Sequence, residues 1–342
     1  MTNSVIKRVA PRWASPTGGR WPVSSAFGAW KLIEDYGVFV PFLLAMVAGT
    51  LLVPNFTSPS NVTNVLINGS IIAVIGFGMT FVIALRGLDL SVGSAQGLCA
   101  CVTAIFISTA GLGFGVLAGI IAGAFIGLVN GALIAYLRVP AFVATLGTMG
   151  IVRGAALLAT DGGTVDGVNR ALGRVTSARL VGLPVPFLIA IVLLGLAYLV
   201  FHHTAFGRHI CAVGGGPEAA RDSGINVQRV TLMTFTLSGF TAGMGGVLLT
   251  SQLGLVNGSL GSGVELQVIA VVVLGGTSLT GGTGNVVGTL AAALLLAMIS
   301  SALNLLNIPS YYQYLAVGVL LIFALSLDSI RRVFLRQMIV GG

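Results

Sequence analysis

The chain has 342 residues, 56% hydrophobic and 8% charged, with a formal net charge of +8 and a mean hydropathy of +1.01. Soluble domains carry about 25% charged residues, so a water-facing globule is excluded and an integral membrane protein is expected. The apolar runs do not alternate with polar residues, which excludes a membrane barrel and leaves an all-α, polytopic transmembrane helix bundle.

A polar arm, residues 1–35, comes first. Lys7, Arg8, Arg12 and Arg20 lie in it without an adjoining apolar core or small-residue cleavage site, so it does not read as a cleaved signal peptide. About ten spans follow, near 36–53, 63–85, 89–109, 112–138, 140–160, 182–201, 230–252, 264–280, 285–306 and 311–328. They make a transmembrane domain over 36–330, followed by a short tail, 331–342. Two links are long, 161–181 and 202–229. Ten spans with both termini cytoplasmic place 13 of the 17 Lys and Arg residues on the cytoplasmic side. The other four, Arg153, Arg170, Arg174 and Arg179, cluster around the 161–181 loop, which is then external.

Between the second and third spans stands "RGLDLSVGS", residues 86–94. Arg86 ends an inward-going span where positive charge belongs, and Gly87 permits the turn. Asp89 is placed to cap the third span by accepting from amides near Ser91 and Val92. In the fourth span Gly115, Gly119, Gly123, Gly127 and Gly131 recur every four residues. Each step turns about 40° past a full helical turn, so this small-residue groove winds around the helix. It serves packing within the chain or a contact between subunits.

An echo at an offset of 189 residues links Leu85, Gly87, Leu90 and Gly93 to Leu274, Gly276, Leu279 and Gly282. Internal duplication and chance recurrence of glycine-rich turns both remain open. In this threading the copies run parallel, whereas an inverted repeat would run them antiparallel.

Little here supports catalysis. The only lysines, Lys7 and Lys31, precede the first span, so no phosphate-binding G-x-x-x-x-G-K-[ST] loop exists. His202, His203, His209 and Cys211 lie close in sequence, but their spacing fits no familiar zinc pattern. Three cysteines, Cys99, Cys101 and Cys211, imply no disulfide framework. No metal, cofactor or nucleic-acid partner is expected; the excess of basic residues is read as a topology signal toward the lipid bilayer. Within 202–229, Gly216 as N-cap, Pro217 at the first helical position, Glu218 in the first turn and Gly224 as terminator predict a short helix. So short a helix needs a surface to lie on, its own bundle or a cytoplasmic partner.

Four segments in order, "GLDLSVGS" (87–94), "PAFVATLGTMGIVRG" (140–154), "GGGPEAARDSGI" (214–225) and "VLGGTSLTGGTG" (273–284), resemble the ribose-type permease family of bacterial ABC importers, within the branched-chain amino acid and ribose permease superfamily. The resemblance covers about residues 40–330. It implies an inner-membrane permease subunit without enzymatic activity, importing a pentose, hexose or related polyol. It also implies a cytoplasmic ATPase, a periplasmic sugar-binding protein, and a second permease copy or close paralogue.

By the same resemblance, Glu218, Ala219, Ala220, Arg221 and Gly224 form the segment that couples to the ATPase. Arg86, Gly87, Asp89, Ser91 and Gly93 form a signature turn or gate, in addition to the capping read from the residues themselves. Polar residues within spans tend to face the bundle interior or a pathway. Asn68, Gln96, Asn130, Thr145, Thr148, Gln267 and Asn304 are the candidates, each serving a pathway or an interhelical hydrogen bond. Arg170 and Arg174 share a helix face. With Arg179 and Glu265, at the external end of the eighth span, they are candidates for docking the binding protein or for a solvated surface. The alternatives are a stand-alone secondary transporter of a small polar solute, which needs a coupling-ion site, and an intramembrane enzyme, for which no catalytic pair is evident.

Overall fold

The structure, a computed structural model, describes residues 37–165, 170–309, 311–313, 315, 318, 319 and 322. The arm, the tail and most of the tenth span lie outside the described residues. Among these residues seven helices are long and apolar enough to cross a membrane: α2 (Pro59–Ala84), α3 (Val92–Ala110), α4 (Leu112–Ala135), α5 (Ala141–Ala159), α7 (Val185–His203), α10 (Val227–Leu253) and α12 (Val286–Leu305). Two apolar helices are shorter, α1 (Phe39–Leu52) and α11 (Val264–Leu274).

The eighth expected span, 264–280, is thus only an 11-residue helix. At 1.5 Å per residue it is about 16 Å long, half of a ~30 Å hydrocarbon layer. Its limits are set by backbone chirality. Gly263 precedes it at φ +80° and Gly276 follows its C-cap at φ +96°, both in the left-handed region. Three shorter helices flank the spans: the polar α6 (Arg170–Ser177) and α9 (Pro217–Asp222), and the largely apolar α8 (Ala205–Gly215). Helix α8 occupies the expected loop 202–229 ahead of the short helix predicted there. Two-residue ladders, Thr164–Val165 with Val256–Asn257 and Arg179–Leu180 with Leu183–Pro184, close the loops on the α6 side.

The core centres on α2, whose Phe77, Met79, Phe81, Val82 and Ile83 are buried against α10, α11 and α12. The glycine stripe of α4 winds from one neighbour to another. Gly115 and Gly119 meet Ile107, Thr103 and Cys99 of α3, while Gly123 and Gly127 meet Gly239 and Gly243 of α10. A Cβ on Gly127 would lie 2.2 Å from the Phe235 carbonyl oxygen, so only glycine lets these backbones approach so closely. The stripe therefore packs helices within the chain.

The internal echo has a structural counterpart. Helix α2 ends with Arg86 N–H donating to Ile83 and Gly87 N–H to Val82; α11 ends with Gly276 N–H donating to Val273 and Thr277 N–H to Val272. Both are left-handed C-terminal caps of the Schellman type, with Arg86 at φ +69° in the place of Gly276. The equivalent residues are 190 apart, one more than the sequence offset. Both echoed segments reach α8: Gly214 lies against Ala84 at the end of α2 and against Gly281 and Gly282 beyond the end of α11.

Candidate functional site

The 85–91 turn does not stop at a membrane surface. Asp89 is 1% exposed, and its Oδ2 accepts from the Ser238 hydroxyl at 2.8 Å. Ser238 is eleven residues into α10, roughly 16 Å along its axis. The turn folds back between the helices, and α3 starts inside the bundle. The expectation that Asp89 marks a span end at the surface is corrected here: the tight cap at Arg86 turns the chain inward.

Asp89 Oδ1 accepts from the Ser91 amide at 3.1 Å and the Ser91 hydroxyl at 2.6 Å; the expected helix cap is corrected in position, because Ser91 is itself the N-cap of α3 and Asp89 closes the turn just ahead of it. Ser91 Oγ in turn accepts from Asn130 Nδ2 of α4 at 2.8 Å. Thr145 of α5 donates within reach of the Leu88 carbonyl at 3.2 Å and the Ala141 carbonyl at 2.8 Å. One turn thus holds four helices, α3, α4, α5 and α10, by polar contacts in an apolar interior, where such bonds are costly to leave unmade. Exposed Arg86, half-buried Gly87 and buried Ser91 and Gly93 complete it.

Helix α8 meets both echoed turns at one residue. A Cβ on Gly214 would lie 1.9 Å from the Ala84 carbonyl oxygen and 2.8 Å from the Gly282 nitrogen. The Gly282 N–H itself donates to Ala84 O at 2.8 Å. Directly after this joint comes α9, with Gly216 as N-cap, Pro217 first and Glu218 in the opening turn. Gly224, at φ +82°, ends it, and the Ile225 N–H reaches back to Ala220 O at 3.0 Å. Ala220 is buried under the helix, whereas Glu218, Ala219, Arg221, Asp222 and Gly224 are exposed.

The other sequence candidates divide. Gln96 and Thr148 are buried and Gln267 is half-buried. Asn68 and Asn304 are exposed and stand apart from the hub, receiving Gln252 Nε2 and Gln313 Nε2 respectively. On the α6 side, Arg174 and Arg179 are exposed, and Arg179 donates to Thr63 Oγ1 at 3.0 Å. The side chain of Arg170 lies outside the described residues. Glu265 is not at a solvated helix end: it is half-buried, with Oε2 buried against Gly93 of α3.

Sequence reasoning passed over Ser238, Arg153 and Gly214 as site residues. Only Arg153, a cation inside an apolar run, carried a visible signal. Among the described residues no three His, Cys, Asp or Glu side chains group to hold a metal ion, and all three cysteines are free.

Among the described residues, seven helices long and apolar enough to cross a membrane surround the buried polar turn, and the family match makes the chain a permease component of a transport system. The chain belongs to the family described as the branched-chain amino acid transport system / permease component, which matches residues 61–325. It is 35% identical to the L-arabinose ABC transporter permease protein of Azospirillum brasilense, over 93% of this chain and 94% of that protein. It is 38% identical to the ribose import permease protein of Escherichia coli strain K12, over 88% and 95%. Against the autoinducer 2 import system permease protein of Salmonella choleraesuis the identity is 35%, over 82% of each. No solved structure matches the chain at a significant level.

Proposed function

We propose that the chain is the permease subunit of an ATP-driven importer of a neutral sugar in a bacterial inner membrane, with α9 as the segment that engages a cytoplasmic ATPase. The relatives named for arabinose, ribose and autoinducer 2 support a polyhydroxylated solute. A periplasmic binding protein delivers it on the side of α6, where Arg174 and Arg179 are exposed, with Arg170 on the same helix. A second copy of the chain or a close paralogue completes the pathway, and the buried polar residues Gln96, Asn130, Thr145 and Thr148 face it. Gln267 belongs to the same set, while Asn68 and Asn304 belong to its margins.

The observation that carries this reading is the joint at Gly214. Helix α9 displays Glu218, Ala219, Arg221 and Asp222 outward, while the helix preceding it is wedged against both echoed turns at once. A push on α9 by a closing ATPase is passed through α8 to the end of α2 and to the segment between α11 and α12 by close backbone contact. The test is co-purification with the ABC ATPase of the same organism that couples to this permease. Wild type should retain the ATPase and Glu218→Arg should lose it while staying folded; a wild-type chain that holds no ATPase in a native-lipid preparation refutes the assignment.

One observation favours a second reading. Asp89 is a buried carboxylate bonded only to hydroxyls and an amide among the described residues, the kind of group a proton-coupled carrier uses. Uptake that persists without ATP and collapses with the proton gradient would select that reading.

A further inference from the structure

The loop between α10 and α11, residues 254–263, presses onto the first turns of α3. Arg153 of α5 holds it there, donating from one guanidinium nitrogen to the carbonyls of Gly258, at 3.2 Å, and Leu260. At the crossing, backbone meets backbone. A Cβ on Gly261 would lie 2.1 Å from the Gly93 carbonyl oxygen, and one on Gly93 would lie 2.4 Å from that of Gly261.

Two side chains end at this crossing. Gln96, 2% exposed, brings Oε1 to 3.4 Å from where a Gly261 Cβ would stand. Glu265 brings Oε2 against Gly93, while its Oε1 accepts from the Gly263 amide at 3.2 Å. Among the described residues, Gln96 Oε1 and Glu265 Oε2 are both buried and both without a hydrogen-bond partner, as is Asn130 Oδ1 beside Ser91. Buried acceptors are nearly always satisfied, so three unsatisfied oxygens around one helix start are a concentrated exception. What they lack is a set of donors. A cation would meet the guanidinium of Arg153, which lies 3.4 Å from the position of a Cβ on Gly97, one residue past Gln96. Neutral hydroxyl groups meet no such opposition, and adjacent O–H groups on one carbon chain suit two neighbouring acceptors.

We propose that Gln96 and Glu265 form a hydroxyl-accepting subsite for a neutral polyol inside the permease, closed here by the Gly93–Gly261 crossing and opened when the 254–263 loop withdraws. The proposal rests on the sugar-importer reading and adds a binding site in the permease itself. A solute that satisfies these acceptors binds the open form better than the closed one and so shifts the population toward it.

The test uses the full-length chain in lipid nanodiscs. Thermal unfolding and calorimetric titration are followed with D-ribose, L-arabinose and xylitol, and with tetrahydropyran as a ring without hydroxyls. At least one polyol should raise the unfolding midpoint saturably, and tetrahydropyran should not. Glu265→Gln keeps the bond to Gly263 but turns the free acceptor into a donor, and should weaken binding about tenfold. Gln96→Leu should weaken it similarly while leaving the polyol-free midpoint unchanged or higher, because it removes an unpaired buried oxygen; a merely structural glutamine would lower that midpoint. No response to all three polyols, equal responses in wild type and variants, or stabilisation by sodium ions alone each overturns the proposal. ATPase retention, read on the same preparations, separates the two claims: a polyol response without ATPase refutes only the coupling assignment, and ATPase without a polyol response refutes only the subsite.

Discussion

Replacing Gly214 by alanine tests the mechanical joint directly. The added Cβ would stand 1.9 Å from Ala84 O, whereas real Cβ contacts essentially never fall below 3.0 Å, so α8 and the end of α2 must separate by about 1.1 Å, the difference of the two. Overpacking of this kind costs ~1–3 kcal/mol. The separation also strains the Gly282 N–H to Ala84 bond, itself worth ~1 kcal/mol. The sum, about 2–4 kcal/mol, falls on the contact that ties α8 to both echoed turns. Gly215, one residue on, has no atom within 4 Å of its would-be Cβ, so Gly215→Ala is a matched control expected within ~0.5 kcal/mol of wild type. The assay is sugar uptake and ATP hydrolysis in proteoliposomes with the partner proteins, alongside the unfolding midpoint. Gly214→Ala should lower the midpoint by several degrees and reduce sugar moved per ATP hydrolysed, and Gly215→Ala should do neither. Indistinguishable behaviour of the two variants would refute the idea that close backbone contact at Gly214 carries the coupling.

Two further outcomes follow from the packing. Asp89→Asn keeps an acceptor for the Ser91 amide and hydroxyl and should retain most stability, whereas Asp89→Ala strands buried donors from Ser91 and Ser238 and should cost on the order of 3 kcal/mol, read as the difference in unfolding midpoint. Gly127→Val forces a side chain into the Phe235 carbonyl and should part α4 from α10, lowering yield and midpoint far more than Gly147→Val, whose site is open.

Much of this was legible in the chain because it depends on local chemistry. The bond from the Ser91 amide to Asp89 needs only a carboxylate two residues before an amide, and it forms one residue ahead of the helix that it was expected to cap. Helix α9 follows from Gly216, Pro217, Glu218 and Gly224, which fix its ends through φ, a missing N–H and the helix dipole. The α4 stripe announces close packing because small side chains at four-residue spacing leave a groove. Ser238 gave no such sign: a serine in an apolar helix reads the same whether it bonds its own backbone or a carboxylate 149 residues away in sequence.

By itself the sequence determined a membrane-embedded helical chain without a phosphate loop, the short exposed helix, and the glycines that end or pack helices. All of these are set by transfer of apolar groups from water and by backbone conformation at single residues. Only the tertiary structure decided that the Asp89 turn folds back into the interior and that Gly214 joins the two echoed segments. Depth and juxtaposition depend on which backbones pack together. Residues far apart in the chain set them jointly, so no local spacing records them.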